Sequence, residues 1–113
     1  MNIDIIRDIC KNLPFVEEDI KWGDDLCFTI GEKMFCVVML NTPLKVSLKV
    51  PDEEFDEMIN LHGIIAAPYA ARYKWILVED VNIFTRKQWE FYITQSYNVI
   101  KNKLSKKKLA GLN

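Results

Sequence analysis

Histidine is nearly absent from this chain: His62 is the only one in 113 residues. Nucleophilic catalysis of the Ser–His or Cys–His kind needs an imidazole held against the nucleophile. His62 instead adjoins Gly63, a residue suited to ending a helix, and reads as an exposed cap residue. Cysteine is scarce and scattered, at Cys10, Cys27 and Cys36, with no Cys-x-x-Cys. A zinc site needs four suitable ligands, commonly in close pairs, so these thiols are expected to be reduced and packed as small hydrophobes. Neither Gly-x-Gly-x-x-Gly nor Gly-x-x-x-x-Gly-Lys-Ser/Thr occurs, which removes the usual phosphate loops. The expectation is a protein without catalytic residues, metal or cofactor. No apolar run approaches the ~18 residues of a membrane span, so no membrane partner is expected. The opening Met-Asn-Ile-Asp lacks a basic segment followed by an apolar one, which argues for a cytoplasmic protein rather than a secreted one. Repeats, linkers and low-complexity segments are also missing, and residues 1–113 read as a single domain.

What the chain does have is ordinary globular composition, 50% hydrophobic and 27% charged. Its net charge of −1 hides an asymmetry. Of fifteen basic residues, Lys101, Lys103, Lys106, Lys107 and Lys108 lie in the last thirteen positions, where there is no acid. That leaves ten bases against sixteen acids in residues 1–100, a balance of −6. A basic tail, about 101–113, is therefore attached to an acidic body.

Ile3, Ile6, Ile9, Cys10 and Leu13 recur at spacings of three and four, predicting an amphipathic helix over 2–13. Asn2 or Asp4 can cap it and Pro14 stops it. Glu17-Glu18-Asp19 reads as a solvated turn, Ile20 to Trp22 as a short strand, and Gly23-Asp24-Asp25 as a turn. The stretch Leu26–Val50 organises the rest. Its three runs, split by turns at Gly31-Glu32 and Asn41-Thr42-Pro43, predict an antiparallel meander. In the third run Leu44, Val46, Leu48 and Val50 alternate with Lys45, Ser47 and Lys49, which predicts one buried face and one wet face. The middle run, Met34 to Leu40, is apolar throughout: either both its faces are covered, or one awaits a partner.

Pro51 opens a second helix whose acids, Asp52 to Glu54, complement the helix dipole and, with Asp56 and Glu57, read as a solvent face. Residues 64–74 read as a loop and Trp75 to Val78 as a strand. Thr85 and Gln88 fit a capping box for a last helix. That helix carries Trp89, Tyr92, Ile93, Ser96, Tyr97, Ile100 and Leu104 on one face, with the lysines in its final turns, where they suit the dipole. The class is α+β, in the order α-β-β-β-β-α-β-α.

Several strings match a known family. Ile20-Lys21-Trp22-Gly23, Phe28-x-Ile30-Gly31-x-Lys33-Met34-Phe35 and Val46-Ser47-Leu48-Lys49-Val50-Pro51-Asp52-Glu53 are followed by Ala67-Pro68-Tyr69, Lys74-Trp75-Ile76 and Gln95-Ser96-Tyr97-x-x-Ile100. In these the chain resembles the small bacterial MmcQ/YjbR proteins over nearly its whole length. The resemblance implies a CyaY-like fold, an antiparallel sheet with helices mainly on one face. It also implies DNA binding, with two loops of the sheet flanking the duplex as a double wing. Trp22, Phe28, Phe35, Trp75 and Tyr97 also read as core anchors.

Two functional expectations follow. In the first, double-stranded DNA is held by mostly sequence-independent phosphate contacts from Lys33, Lys45, Lys49, Arg72, Lys74, Lys101, Lys103, Lys106, Lys107 and Lys108, with wings at Gly31-Glu32 and Asn41–Pro43. In the second, the apolar strand and the Ala-rich loop 64–71 form a protein-interaction module, binding a second copy or another protein through the sheet.

Overall fold

A computed structural model describes residues 1–112. Six strands form one antiparallel sheet: β1 (Glu17–Lys21), β2 (Asp25–Ile30), β3 (Lys33–Met39), β4 (Lys45–Lys49), β5 (Ile64–Ala66) and β6 (Trp75–Val78). Their spatial order is β1-β2-β3-β4-β6-β5. The helices are α1 (Ile3–Lys11), α2 (Phe55–Ile59), α3 (Arg86–Lys101) and α4 (Lys106–Gly111), with 3-10 turns at Asp52–Glu54, Ala71–Tyr73 and Val81–Ile83. The α+β class, the meander and the placement of the long helices on one face are as the sequence implies.

Register explains the core. Phe28, Cys36, Leu48 and Ile76 lie opposite one another across β2, β3, β4 and β6, as do Leu26, Val38, Val46 and Val78. Both rows are buried with Ile6, Ile9 and Cys10 of α1 and Trp89, Ile93 and Tyr97 of α3 in one cluster. Burying each such side chain stabilises the fold by about 1.5–3 kcal/mol. Trp89 also satisfies its indole by donating to the Val81 carbonyl at 2.9 Å and meets Phe84 edge-on. Asn2 caps α1, and Thr85 with Gln88 forms the expected capping box on α3. Cys10, Cys27 and Cys36 are buried and free. Burial pushes the Cys27 thiol up, and contact with Cys10 together with burial does the same for Cys36, so neither is a ready nucleophile.

Four details differ from the sequence reading. The acidic run Glu17–Asp19 lies within β1, because it pairs with Cys27–Thr29 of β2. Ile64–Ala66 is a strand rather than loop, since it pairs along β6 at the sheet edge. Trp22 is no core anchor: it is 71% exposed in the β1–β2 turn. The last helix stops at Lys101, and Ser105 caps a separate α4 by accepting from the Lys108 amide. Lys106 and Lys107 therefore sit at a helix start, where the dipole disfavours them, rather than at a helix end.

The acidic strand is pinned to α1. Arg7 grips Glu18 with both its Nε, at 2.8 Å, and an Nη, and this contact holds the Glu18 carboxyl below its ordinary value. A carboxyl lowered by folding stabilises the protein above its unfolded pKa of about 4.5, and that contribution is lost as pH falls through the lowered value. Glu18→Gln is therefore expected to show a shallower loss of thermal stability below about pH 4.5 than the parent. Superimposable acid limbs in a pH series of melting curves would contradict this.

Candidate functional site

The cations singled out in the sequence come from separate segments, and the antiparallel register decides which of them meet. β3 begins at Lys33 where β4 ends at Lys49, and Lys49 lies opposite Trp75 at the start of β6. Lys74 and Arg72 immediately precede that strand. The tail reaches the same end: Leu104 packs on Gly31, Lys108 pairs with Glu32 at 2.9 Å, and Lys103 acts on Lys49. Lys33, Lys49, Arg72 and Lys74 thus share one end of the sheet with Lys101, Lys103 and the α4 lysines. Lys45 does not: it stands at the other end of β4, roughly 13 Å from Lys49 at ~3.3 Å per residue, near Glu79 at 3.9 Å. Among the described residues only Lys45, Lys49 and Lys108 of the ten have a carboxylate within 4.0 Å.

Lys49 is not on a wet face. It is 4% exposed and Ser47 5%, because the segment 67–74 folds across this end of β4 and β6. Its ammonium donates to the Tyr73 carbonyl and lies 3.8 Å from Asp52. Burial first, and then the repulsion of Lys103, pull its pKa below the ordinary lysine value. Lys74 and Lys101 rest over the rings of Phe55 and Tyr97, 4.9 and 5.7 Å from the centroids. Arg72 stacks on Tyr73 and donates to its hydroxyl at 2.7 Å.

The two candidate wings sit at opposite ends of β3, and neither tip carries a free cation. Gly31 has φ +56°, and a Cβ there would meet Leu104 at 2.8 Å, so the tail clamps this turn. Glu32 at its tip is acidic and paired with Lys108. Asn41-Thr42-Pro43 is exposed and uncharged.

The face of the sheet away from α1 and α3 resolves the question posed by the apolar middle strand. Cys27, Val37, Ser47 and Leu77 form a register row on it. Among the described residues no α-helix lies over this row, and the segment 67–74 covers one end of it. Val37, Ser47 and Leu77 floor an apolar groove of about 740 Å³, walled by Trp22, Met34, Met39, Tyr69, Tyr73 and Trp75. Tyr69 and Trp22 stand out of it at 103% and 71% exposure. Both have left-handed backbones, Tyr69 at φ +66° and Trp22 at φ +51°, as do Glu32 and Lys74 beside the groove. A side chain in that region costs about 1–2 kcal/mol, and here burial returns little of it for the two exposed aromatics. Hydrophobicity alone marks Trp22 for the core; the adjoining Gly23, φ +88°, is the sequence signal that it belongs to a turn.

The molecule is thus a small α+β domain, with one sheet face sealed by helices and the other grooved and flanked by a basic end. A crystal structure of a Deinococcus radiodurans protein with a DUF419 domain has the same fold, with a TM-score of 0.86 and 23% identity over 98% of this chain and 87% of that one. A Pseudomonas syringae protein matches with a TM-score of 0.73 and 21% identity, over 88% of this chain and 98% of its own. No curated protein is significantly similar. The YjbR family model matches residues 11–99, and the chain belongs to the YjbR family.

Proposed function

We propose that the protein binds DNA through mostly sequence-independent phosphate contacts made from one end of its sheet. The observation that carries this reading is the convergence of Lys33, Arg72, Lys74, Lys101 and Lys103 from three separate segments, with no carboxylate within 4.0 Å of any of them among the described residues. Two acids at this end are already engaged, Glu32 by Lys108 and Asp52 by Lys49. A polyanion laid across the lysines would release counterions and relieve the repulsion between Lys103 and Lys49. The sheet loops take part through Lys33, next to the Gly31 turn, and through Arg72 and Lys74, rather than through charged wing tips. Membership of the YjbR family adds support through the DNA-binding role that the resemblance implies.

Titration of a labelled duplex at about 50 and 200 mM salt tests the reading. Saturable binding is expected, weakening with a log–log slope of roughly −3 to −5, about −0.9 for each phosphate contacted. Absence of binding at micromolar protein and low salt would overturn it.

A further inference from the structure

We infer that α4 is an autoinhibitory strap: Glu32 occupies Lys108 in the free protein, a DNA phosphate takes the place of that carboxylate, and α4 undocks to bring Lys106, Lys107 and Lys108 onto the DNA. This deepens the DNA-binding reading and rests on it.

Three observations carry the inference. The first is how lightly α4 is held. None of its residues is buried, and beyond Leu104 only Leu109 and Leu112 pack on the core, each partly covered. Among the described residues the hydrogen bonds of α4 stay within 105–112, so the Lys108–Glu32 pair at 2.9 Å is its one polar tie to the sheet. Six residues form too short a helix to hold in water alone, and the three lysines of its first turn run against its dipole. Such an element belongs to the low-stability end of a fold. The second is charge. A gap of about 520 Å³ lies beneath α4, with Glu17 and Glu32 on the sheet side and Lys107 and Lys108 on the helix side. The Glu32 side chain is 83% exposed, so the core does not require it there, and an ion pair this open to water is weak and exchangeable. Its carboxylate stands where a phosphate oxygen would stand. The third is the hinge. Leu104 is buried against Gly31 and anchors the chain, while Ser105 and the lysines after it are exposed. Release therefore begins just beyond Lys101 and Lys103 and delivers the α4 lysines beside them. The lysines leave a helix start that disfavours them and gain phosphates, and Glu32 returns to water that it already largely faces.

The experiment follows the full chain with a DNA duplex, by nuclear magnetic resonance and by titration. Backbone chemical shifts of residues 106–111 are expected to be helical in the free protein and to move to coil values at duplex saturation, while those of α3 stay helical. Glu17→Gln with Glu32→Gln is expected to bind the duplex about fivefold or more tightly than the parent at ~0.1 M salt. The control is Glu79→Gln with Glu90→Gln, which makes the same change of net charge and frees Lys45 and Arg86 away from the strap. It is expected to change affinity by less than about twofold. A coil-like α4 in the free protein, helical shifts that persist at saturation, or strap variants no tighter than the control would each overturn the inference while leaving the DNA-binding reading intact. Absence of duplex binding by the parent and the strap variant alike would overturn both.

Discussion

Ser96→Ala is expected to lower the unfolding free energy by about 2–4 kcal/mol, although it removes a single oxygen. Ser96 is fully buried in α3. Its hydroxyl accepts from the Lys49 amide at 3.0 Å and donates to the Phe35 carbonyl. These two backbone groups belong to the next pair the β3–β4 ladder would make, because Cys36 faces Leu48 one step before. That pair is not formed directly. The register shift between β2 and β3 leaves Phe35 as an extra residue, and the serine hydroxyl is inserted where the strands part. Alanine would strand a buried donor and a buried acceptor, at about 1–3 kcal/mol each. Against a typical domain stability of about 5–15 kcal/mol this is large. It should lower the melting temperature by roughly 10–20 °C. Urea unfolding is the direct measurement: a lower midpoint with an unchanged m-value is expected. A loss under about 1 kcal/mol would mean that the strands close and pair without the hydroxyl.

The same insertion has a consequence for the candidate site, since it fixes the ends of β3 and β4 from which Lys33 and Lys49 emerge. A variant such as Ser96→Ala is therefore a poor probe of binding, and the surface lysines are the better ones.

The sequence made much of this legible, and in a particular order of difficulty. Long periodic segments were clear: the three- and four-residue spacing of α1, the Thr85–Gln88 box, and the alternation that buries Val46, Leu48 and Val50 all correspond to what is observed. β5 escaped because three residues, Ile64–Ala66, are too few to establish a period. Alternation places Lys49 on the wet face because it reports which way a side chain points, not what a later loop lays over it. Ser96 stands on the apolar face of the last helix between Ile93 and Tyr97, and a hydroxyl in that position is the sequence signal of a buried hydrogen-bonding need, although its partners are not legible there. The basic end was within reach of the sequence, since in an antiparallel pair the start of one strand lies at the end of the next. Lys33 and Lys49 could have been brought together and Lys45 set apart on that ground alone. The approach of the tail, through Leu104 on Gly31 and Lys108 on Glu32, could not.

The second large effect concerns position rather than amount of charge. Lys33→Glu with Lys103→Glu is expected to weaken DNA binding by about 100-fold or more at ~0.1 M salt, and to flatten the salt dependence by about two phosphate contacts. Both side chains are exposed, and removing Lys103 relieves its repulsion of Lys49, so folding should not suffer. The control is an equal change of net charge elsewhere. Lys45 lies at the far end of β4, and Lys87 near the start of α3 is about 21 Å from Lys101 at 1.5 Å per helical residue. The decisive measurement is the affinity of both double variants for one labelled DNA across a salt series. The basic-end pair should lose about 100-fold or more with the smaller salt slope, and the Lys45→Glu, Lys87→Glu pair only a few-fold through the long-range field, with its slope retained. Equal losses in the two pairs would contradict a DNA site at this end of the sheet.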